Sequence, residues 1–171
     1  MDFEDFVAAT STRLFSLAML LVGRNQADAE DLLQDVLERA YRHWPRIVRG
    51  GEPEPYIRRM LANAAVDRRR QLRRRPERPL DLGAPADTNE VDQVTERAVL
   101  MRALADLPPR QRAVLVLRYF EDLTEAQTAA VLGCGVGTVK SQSSRALARI
   151  RESAGLAGGA AAIPKGVGGD G

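Results

Sequence analysis

The residues best suited to chemistry in this sequence are hydrogen-bond donors and acceptors that recur at helical spacing near the C-terminus. Hydroxyl, amide and guanidinium groups on one face of a helix can bind base edges and phosphates in a major groove. The pattern therefore predicts a DNA-reading helix, and the alternative is a solvated helix packed in an α-helical domain. The candidate contact residues are Thr138, Lys140, Ser141, Gln142, Arg145 and Arg149.

The segment from Leu123 to Arg151 must position these side chains, and its sequence is typical of a helix-turn-helix. Thr124 is suited to cap the first helix, with Gln127 as its capping-box partner. The glycines of GCGVG allow a sharp turn before the second helix. The apolar residues that would pack the second helix against the first are Val139, Ala146, Leu147 and Ile150.

A second candidate site lies in an arginine-rich stretch. Between Arg58 and Arg78 there are nine arginines against two acids, a balance of +7 in a chain whose net charge is only +2. Like charges one helical turn apart repel, so an anionic partner such as the phosphate backbone is expected. A helix is predicted from about residue 56 to 75, with Ile57, Met60, Leu61, Ala64, Ala65 and Leu72 buried. Its outer face would carry Arg59, Asn63, Asp67, Arg70 and Arg74.

A third feature is acidic. A helix predicted from about residue 27 to 44 has five acids and no base between Asp28 and Glu38. Its apolar face would be Leu32, Leu33, Val36, Leu37, Ala40 and Tyr41. From the pattern alone the acidic face is either a solvated surface or a docking surface for a basic partner.

The remaining chain predicts an all-α fold of two small helical domains joined by a flexible linker. A first helix spans about residues 3–23, Pro45 ends the second, and residues 46–55 form a loop. Helices at about 94–107 and 109–120 precede the helix-turn-helix and complete a four-helix domain. The predicted boundaries are a first domain at 1–75, a linker at 76–92, a second domain at 93–152 and a flexible tail at 153–171.

The composition argues against several classes of function. One cysteine, Cys134, and one histidine predict neither a disulfide nor a metal site. The sequence has no phosphate-binding glycine loop and no nucleophile motif, so no cofactor, small-molecule substrate or catalysis is expected. No export signal is evident, and the longest apolar run, Leu17–Val22, is short of a membrane span. We expect a cytoplasmic protein without membrane insertion.

Three segments in order carry a family resemblance: DAEDLLQDVLERAYRHW, YIRRMLANAAVDRRR and LPPRQRAVLVLRYFEDLTEAQTAAVLGCGVGTVKS. Together they resemble the extracytoplasmic-function sigma factors of bacterial RNA polymerase, and the last is most similar to actinobacterial members. The resemblance covers roughly residues 3–152. It implies an alternative sigma factor that binds core polymerase, recognises a −10 and a −35 promoter element, and performs no covalent chemistry itself.

The resemblance also implies a role for each candidate surface. The acidic helix would dock on the clamp helices of the polymerase β′ subunit, through Asp28, Asp31, Gln34, Asp35 and Glu38. On the arginine-rich helix, Asn63 and Asp67 would lie near −10 bases, and Arg59, Arg70 and Arg74 near phosphates.

The other expectations concern the loop, the second domain and the partners. The loop at 46–55 would capture a flipped base, and the helix-turn-helix would read the −35 element while its domain touches the β flap. An anti-sigma factor is a possible further partner. Two alternatives stay open: a helix-turn-helix regulator that binds duplex DNA without core polymerase, and an adaptor that binds polymerase without DNA.

Overall fold

The computed structural model describes residues 1–74 and 96–156, and within these two ranges every regular element is helical, as predicted. We call the two ranges the N-terminal unit and the C-terminal unit. The predicted linker at 76–92 and the residues from 157 onward lie outside the described part. The N-terminal unit contains α1 (Phe3–Val22), α2 (Gln26–Arg42), α3 (Trp44–Arg49) and α4 (Pro53–Arg74). The C-terminal unit contains α5 (Glu96–Ala105), α6 (Pro109–Leu115), a π-helical turn (Val116–Phe120), α7 (Glu125–Leu132) and α8 (Val136–Leu156).

Helix α1 packs against α2 and α4 in the N-terminal unit. The Asp5 backbone N–H donates to Asp2 Oδ1 at 2.8 Å, and Gly23 ends the helix with a left-handed φ of 74°. Among the described helices, α1 is the one whose length and apolar composition would also suit a membrane span, a test that core helices of soluble proteins pass too. Its buried residues pack in the hydrophobic core: Phe6, Leu14, Leu17, Ala18 and Leu21.

The region predicted as a loop at 46–55 is partly helical, so this prediction is wrong. Helix α2 ends at Arg42, and α3 begins at Trp44 with Pro45 in its first turn. Proline is tolerated there because the N–H groups of a first turn have no partner within the helix. Helix α4 then begins at Pro53, so only residues 50–52 remain non-helical.

Tyr41 was predicted in the buried face of α2, but 64% of it is exposed. Leu32, Val36 and Ala40 are buried as expected. The Tyr41 ring instead packs edge-on against Phe3 near the start of α1, with ring centroids 5.2 Å apart. The apolar face of α2 is therefore wider than the surface that the core covers.

The two units share the larger of two hydrophobic clusters in the described residues. Helix α4 packs against α6 and α7, so its buried residues belong to the same cluster as apolar residues of the C-terminal unit. The cluster joins Ile57 and Leu61 to Val114, Leu117 and Leu132. The predicted buried face of α4 therefore packs partly against the C-terminal unit.

A buried arginine connects the ends of two helices across this contact. Only 4% of Arg112 is exposed, and its guanidinium donates to four backbone carbonyls. One belongs to Leu21 at the end of α1, at 3.1 Å. Three lie at or after the end of α5: Leu104 at 2.8 Å, Ala105 at 2.9 Å and Leu107 at 2.8 Å. A cation at the C-terminal ends of helices also complements their dipoles.

The last two helical regions differ from the predicted bounds. The helix predicted at 109–120 becomes a π-helical turn from Val116, and the Glu121 N–H bonds the Val116 carbonyl five residues back at 3.1 Å. Helix α8 continues to Leu156, although the sequence predicted a tail after Glu152. Glycine weakens a helix interior but is tolerated in a last turn, where Gly155 lies.

Candidate nucleic-acid interface

The helix-turn-helix is formed by α7 and α8. The predicted capping box is present: the Gln127 N–H donates to Thr124 Oγ1 at 3.1 Å, and the Thr124 N–H donates to Gln127 Oε1 at 2.8 Å. Gly133 ends α7 with a left-handed φ of 64°. Val139 and Ala146 are fully buried and fix α8 against the rest of the unit.

Helix α8 presents most of the predicted DNA-reading residues to solvent. Ser141 donates to the Thr138 carbonyl at 3.0 Å, and Lys140 lies 3.9 Å from Glu125 in an exposed ion pair. Arg145 and Arg149 form no ion pair with described residues, so their guanidinium groups are available for an anionic ligand. Gln142 is half-buried, and the exposed members of the set are Thr138, Lys140, Ser141, Arg145 and Arg149.

The face of α4 that was predicted to meet the −10 element is partly occupied in this structure. Arg59 and Asp67 are exposed, whereas Asn63 is half-buried. The Asn63 Nδ2 donates to the Arg59 carbonyl at 2.9 Å and to the Val131 carbonyl of α7 at 2.8 Å. The amide that the family resemblance would put near a base is thus bound to the helix-turn-helix. Two predicted phosphate contacts, Arg70 and Arg74, belong to α4 but have side chains outside the described set.

The acidic face of α2 is exposed at Asp31, Asp35, Gln34 and Glu38. Gln34 donates to Glu38 across one turn at 3.2 Å, and Asp35 forms no ion pair with described residues. The face therefore keeps an acceptor-rich surface along its length.

One arginine of the basic stretch belongs to this acidic face. The Arg68 Nη2 lies 3.4 Å from Asp28 Oδ1 and 3.3 Å from Asp31 Oδ2. Arg68 is therefore partly neutralised within the N-terminal unit, whereas the sequence suggested an external anion for the whole stretch. Residue spacing along α4 could not reveal that its far end lies beside the start of α2.

A groove of about 580 Å³ runs between α1 and α2 next to the acidic face. Its lining is mostly apolar and includes Phe15, Leu33, Leu37 and the exposed Tyr41, together with the carboxylates of Glu30 and Glu38 and the guanidinium of Arg42. An apolar groove beside carboxylates is suited to a partner helix that carries both apolar and basic side chains. The sequence predicted the acidic surface but not this groove.

The comparisons with known proteins agree with this arrangement. Residues 6–75 match the family model for sigma-70 region 2, and residues 97–150 match the model for sigma-70 region 4. The first range corresponds to α1–α4 and the second to the four-helix arrangement that ends in α8.

Curated relatives and a solved structure extend these matches. The chain is 40% identical to an RNA polymerase sigma-E factor of Streptomyces avermitilis over 154 residues, which cover 89% of this chain and 84% of that protein. It is 35% identical to the ECF RNA polymerase sigma factor SigM of Mycobacterium tuberculosis over 130 residues, 76% of this chain and 66% of that protein. The sigma factor RpoE, solved in complex with the anti-sigma factor NepR from Bartonella quintana, aligns with a TM-score of 0.63 and 25% identity over 88% of this chain and 95% of that one. The chain therefore belongs to the extracytoplasmic-function sigma factors and is an alternative sigma factor of bacterial RNA polymerase that directs promoter-specific transcription initiation.

Proposed function

We propose that the acidic face of α2 and the adjoining groove form the surface that docks on the clamp helices of the polymerase β′ subunit. The observation that carries this proposal is the exposed series Asp31, Gln34, Asp35 and Glu38 beside an apolar groove. Carboxylates attract and orient a basic partner, and an apolar groove gives it surface to bury. The C-terminal unit would contact the β flap.

Promoter recognition is divided between two helices in this proposal. Helix α4 faces the −10 element, with Asn63 and Asp67 near bases and Arg59, Arg70 and Arg74 near phosphates. Helix α8 reads the −35 element through Arg145, Arg149 and their neighbours. Support comes from the exposed guanidinium groups of α8 and from the shared outer face of Arg59, Asn63 and Asp67 on α4.

The two promoter elements cannot be read while the units remain packed as they are here. Positions −35 and −10 are about 25 base pairs apart, which at about 3.4 Å per base pair is about 85 Å. In the structure Asn63 lies 2.8 Å from a carbonyl of the helix-turn-helix. In this proposal the packed arrangement is a closed state, and promoter binding requires the units to separate.

The remaining parts of the proposal concern partners, chemistry and location. An anti-sigma factor would be a regulator of this chain, as the similar RpoE structure contains one. The chain would carry out no covalent chemistry, act in the cytoplasm and need no cofactor, since polymerase supplies the catalysis.

Transcription in vitro with purified core polymerase and a promoter library tests the proposal. We expect core-dependent initiation at a restricted set of promoters. Binding of duplex DNA without core, and no effect on initiation, would instead indicate a conventional helix-turn-helix regulator. Binding of core without promoter selection would indicate an adaptor.

A further inference from the structure

Glu121 reaches from the C-terminal unit into a cluster of charges on the N-terminal unit. Its Oε2 lies 2.5 Å from Arg58 Nε and 3.7 Å from Arg13 Nη2. Arg13 also pairs with Glu54 at 2.6 Å, and the Arg58 Nη2 lies 3.9 Å from the same Glu54 carboxylate. The side chains of Arg58 and Glu121 are only 16% and 10% exposed, so their pair is shielded from solvent. Without Glu121 the cluster has two cations and one anion.

The backbone around Glu121 is irregular in a way that presents this carboxylate to α4. The π-helical turn ends immediately before it, and Asp122 has a left-handed φ of 52°. The Leu123 N–H then bonds the Leu117 carbonyl at 3.0 Å. Single π turns and left-handed non-glycine residues are unfavourable and occur often at functional positions. Here they flank the residue whose carboxylate enters the cluster.

Arg58 immediately precedes Arg59, a residue of the proposed −10 face. Five residues after Arg58, the Asn63 amide is held by the Val131 carbonyl. In the closed state the C-terminal unit thus pairs with a guanidinium of α4 and accepts a hydrogen bond from an amide of the same helix. A carboxylate and a phosphate offer guanidinium the same kind of ligand, paired anionic oxygens.

We propose that Glu121 occupies the position of a promoter phosphate in the closed state, and that Arg58 becomes a phosphate contact of the −10 element when the units separate. This inference rests on the proposed function and adds a DNA contact that residue spacing on the outer face of α4 does not indicate. Because Arg58 cannot bind both anions at once, closure and promoter binding exclude each other.

Association with core polymerase tests the closing role, because in the proposed function the N-terminal unit binds β′ while the C-terminal unit binds β, and both are bound at once only when the units separate. Glu121→Gln keeps the shape of the side chain and removes its charge, so less free energy is needed to open the chain. We expect its affinity for core to rise about fivefold, with a larger radius of gyration of the isolated chain in X-ray scattering. Arg58→Gln should have the same two effects. The matched control is Asp122→Asn, which removes the adjacent charge. Asp122 forms no ion pair with described residues, and asparagine tolerates the left-handed backbone at this position.

The salt dependence of promoter binding by the assembled holoenzyme tests the DNA contact. Loss of one phosphate contact reduces the slope of log affinity against log salt by about 0.7 for single-stranded and about 0.9 for duplex DNA. Arg58→Gln should show this reduction, Arg58→Lys should retain the slope, and Glu121→Gln and Asp122→Asn should leave it unchanged. A residue with only a structural role would not change the slope.

Each half of the proposal has its own refutation. If Glu121→Gln leaves both the affinity for core and the radius of gyration unchanged, the closing role is overturned. If Arg58→Gln keeps the wild-type slope of log affinity against log salt, the phosphate contact is overturned. Failure of the wild-type chain to bind core would overturn the proposed function itself. Expansion of the isolated Glu121→Gln chain would still be measurable in that case and would support the closing role alone.

Discussion

Replacing Gly23 by alanine should destabilise the contact between the two units. A β-carbon at this position would lie 3.1 Å from Ala105 Cα and 3.1 Å from Arg112 Cζ, both closer than ordinary contacts. Neither neighbour can move easily, because the first is backbone of α5 and the second is held by four carbonyls. The residue also has a φ of 74°, which an L side chain rarely adopts.

The two effects can be separated by a matched variant. A left-handed backbone costs alanine about 1–2 kcal/mol, and forcing a methyl group into a packed site costs typically about 1–3 kcal/mol more. Gly23→Ala should therefore lower the free energy of unfolding by about 2–5 kcal/mol. Gly133 has a similar φ of 64°, but no atom lies within 4 Å of the point that an alanine methyl group would occupy. Gly133→Ala should therefore lower the free energy of unfolding by only about 1–2 kcal/mol.

Urea unfolding followed by two signals provides the assay. Trp44 is the single tryptophan and is buried in the N-terminal unit, whereas far-ultraviolet circular dichroism reports all the helices. In the wild type the two transitions should coincide. In Gly23→Ala the urea midpoint should fall and the two transitions should separate, because the units lose the contact at Gly23. Equal destabilisation by Gly23→Ala and Gly133→Ala would refute the close approach of α5 and Arg112.

Three further predictions concern the cap and the two binding surfaces. Thr124→Ala removes the hydrogen bond that its hydroxyl accepts from Gln127 and should lower the free energy of unfolding by about 1 kcal/mol in urea titrations; an unchanged value would mean that the cap adds nothing. Asp31→Arg combined with Asp35→Arg should weaken core association and leave −35 duplex binding intact; unchanged core affinity would make the acidic face a solvated surface only. Arg145→Ala should cost about 1–3 kcal/mol of DNA binding at one promoter position if Arg145 reaches a base edge, whereas an equal loss on all sequences would identify a phosphate contact.

Local patterns were sufficient where one helix determines its own structure. The Thr124–Gln127 capping box and the buried positions Val139 and Ala146 follow from spacing and hydrogen-bonding capacity within a few residues. The family was indicated by resemblance, and the three motifs that carry it are each contained in a few consecutive helices. The prediction that Pro45 ends a helix and begins a loop was wrong, because a proline is equally suited to the first turn of a new helix.

Contacts between distant segments could not be predicted from such patterns. Periodicity places Tyr41 on the apolar face of α2, but only the packing of α1 decides how much of that face is covered. The four carbonyls that bind Arg112 come from two helix ends, one of them 91 residues away. The Asn63–Val131 bond likewise depends on how the two units pack. Binding roles for these surfaces stay predictions until the variants are measured.

The π-helical turn has a consequence for insertions and deletions. A π turn contains one residue more than an α-helix would need to span the same rise, and it ends here at Phe120. Because the turn absorbs its extra residue, deleting one residue between Val116 and Phe120 should restore α-helical hydrogen bonding there and leave the segments on either side in nearly their present orientation. Glu121 should then still reach Arg58, and the recognition helix should keep its place against the N-terminal unit. The π turn thus marks a position at which this chain can lose one residue without reorienting its two halves.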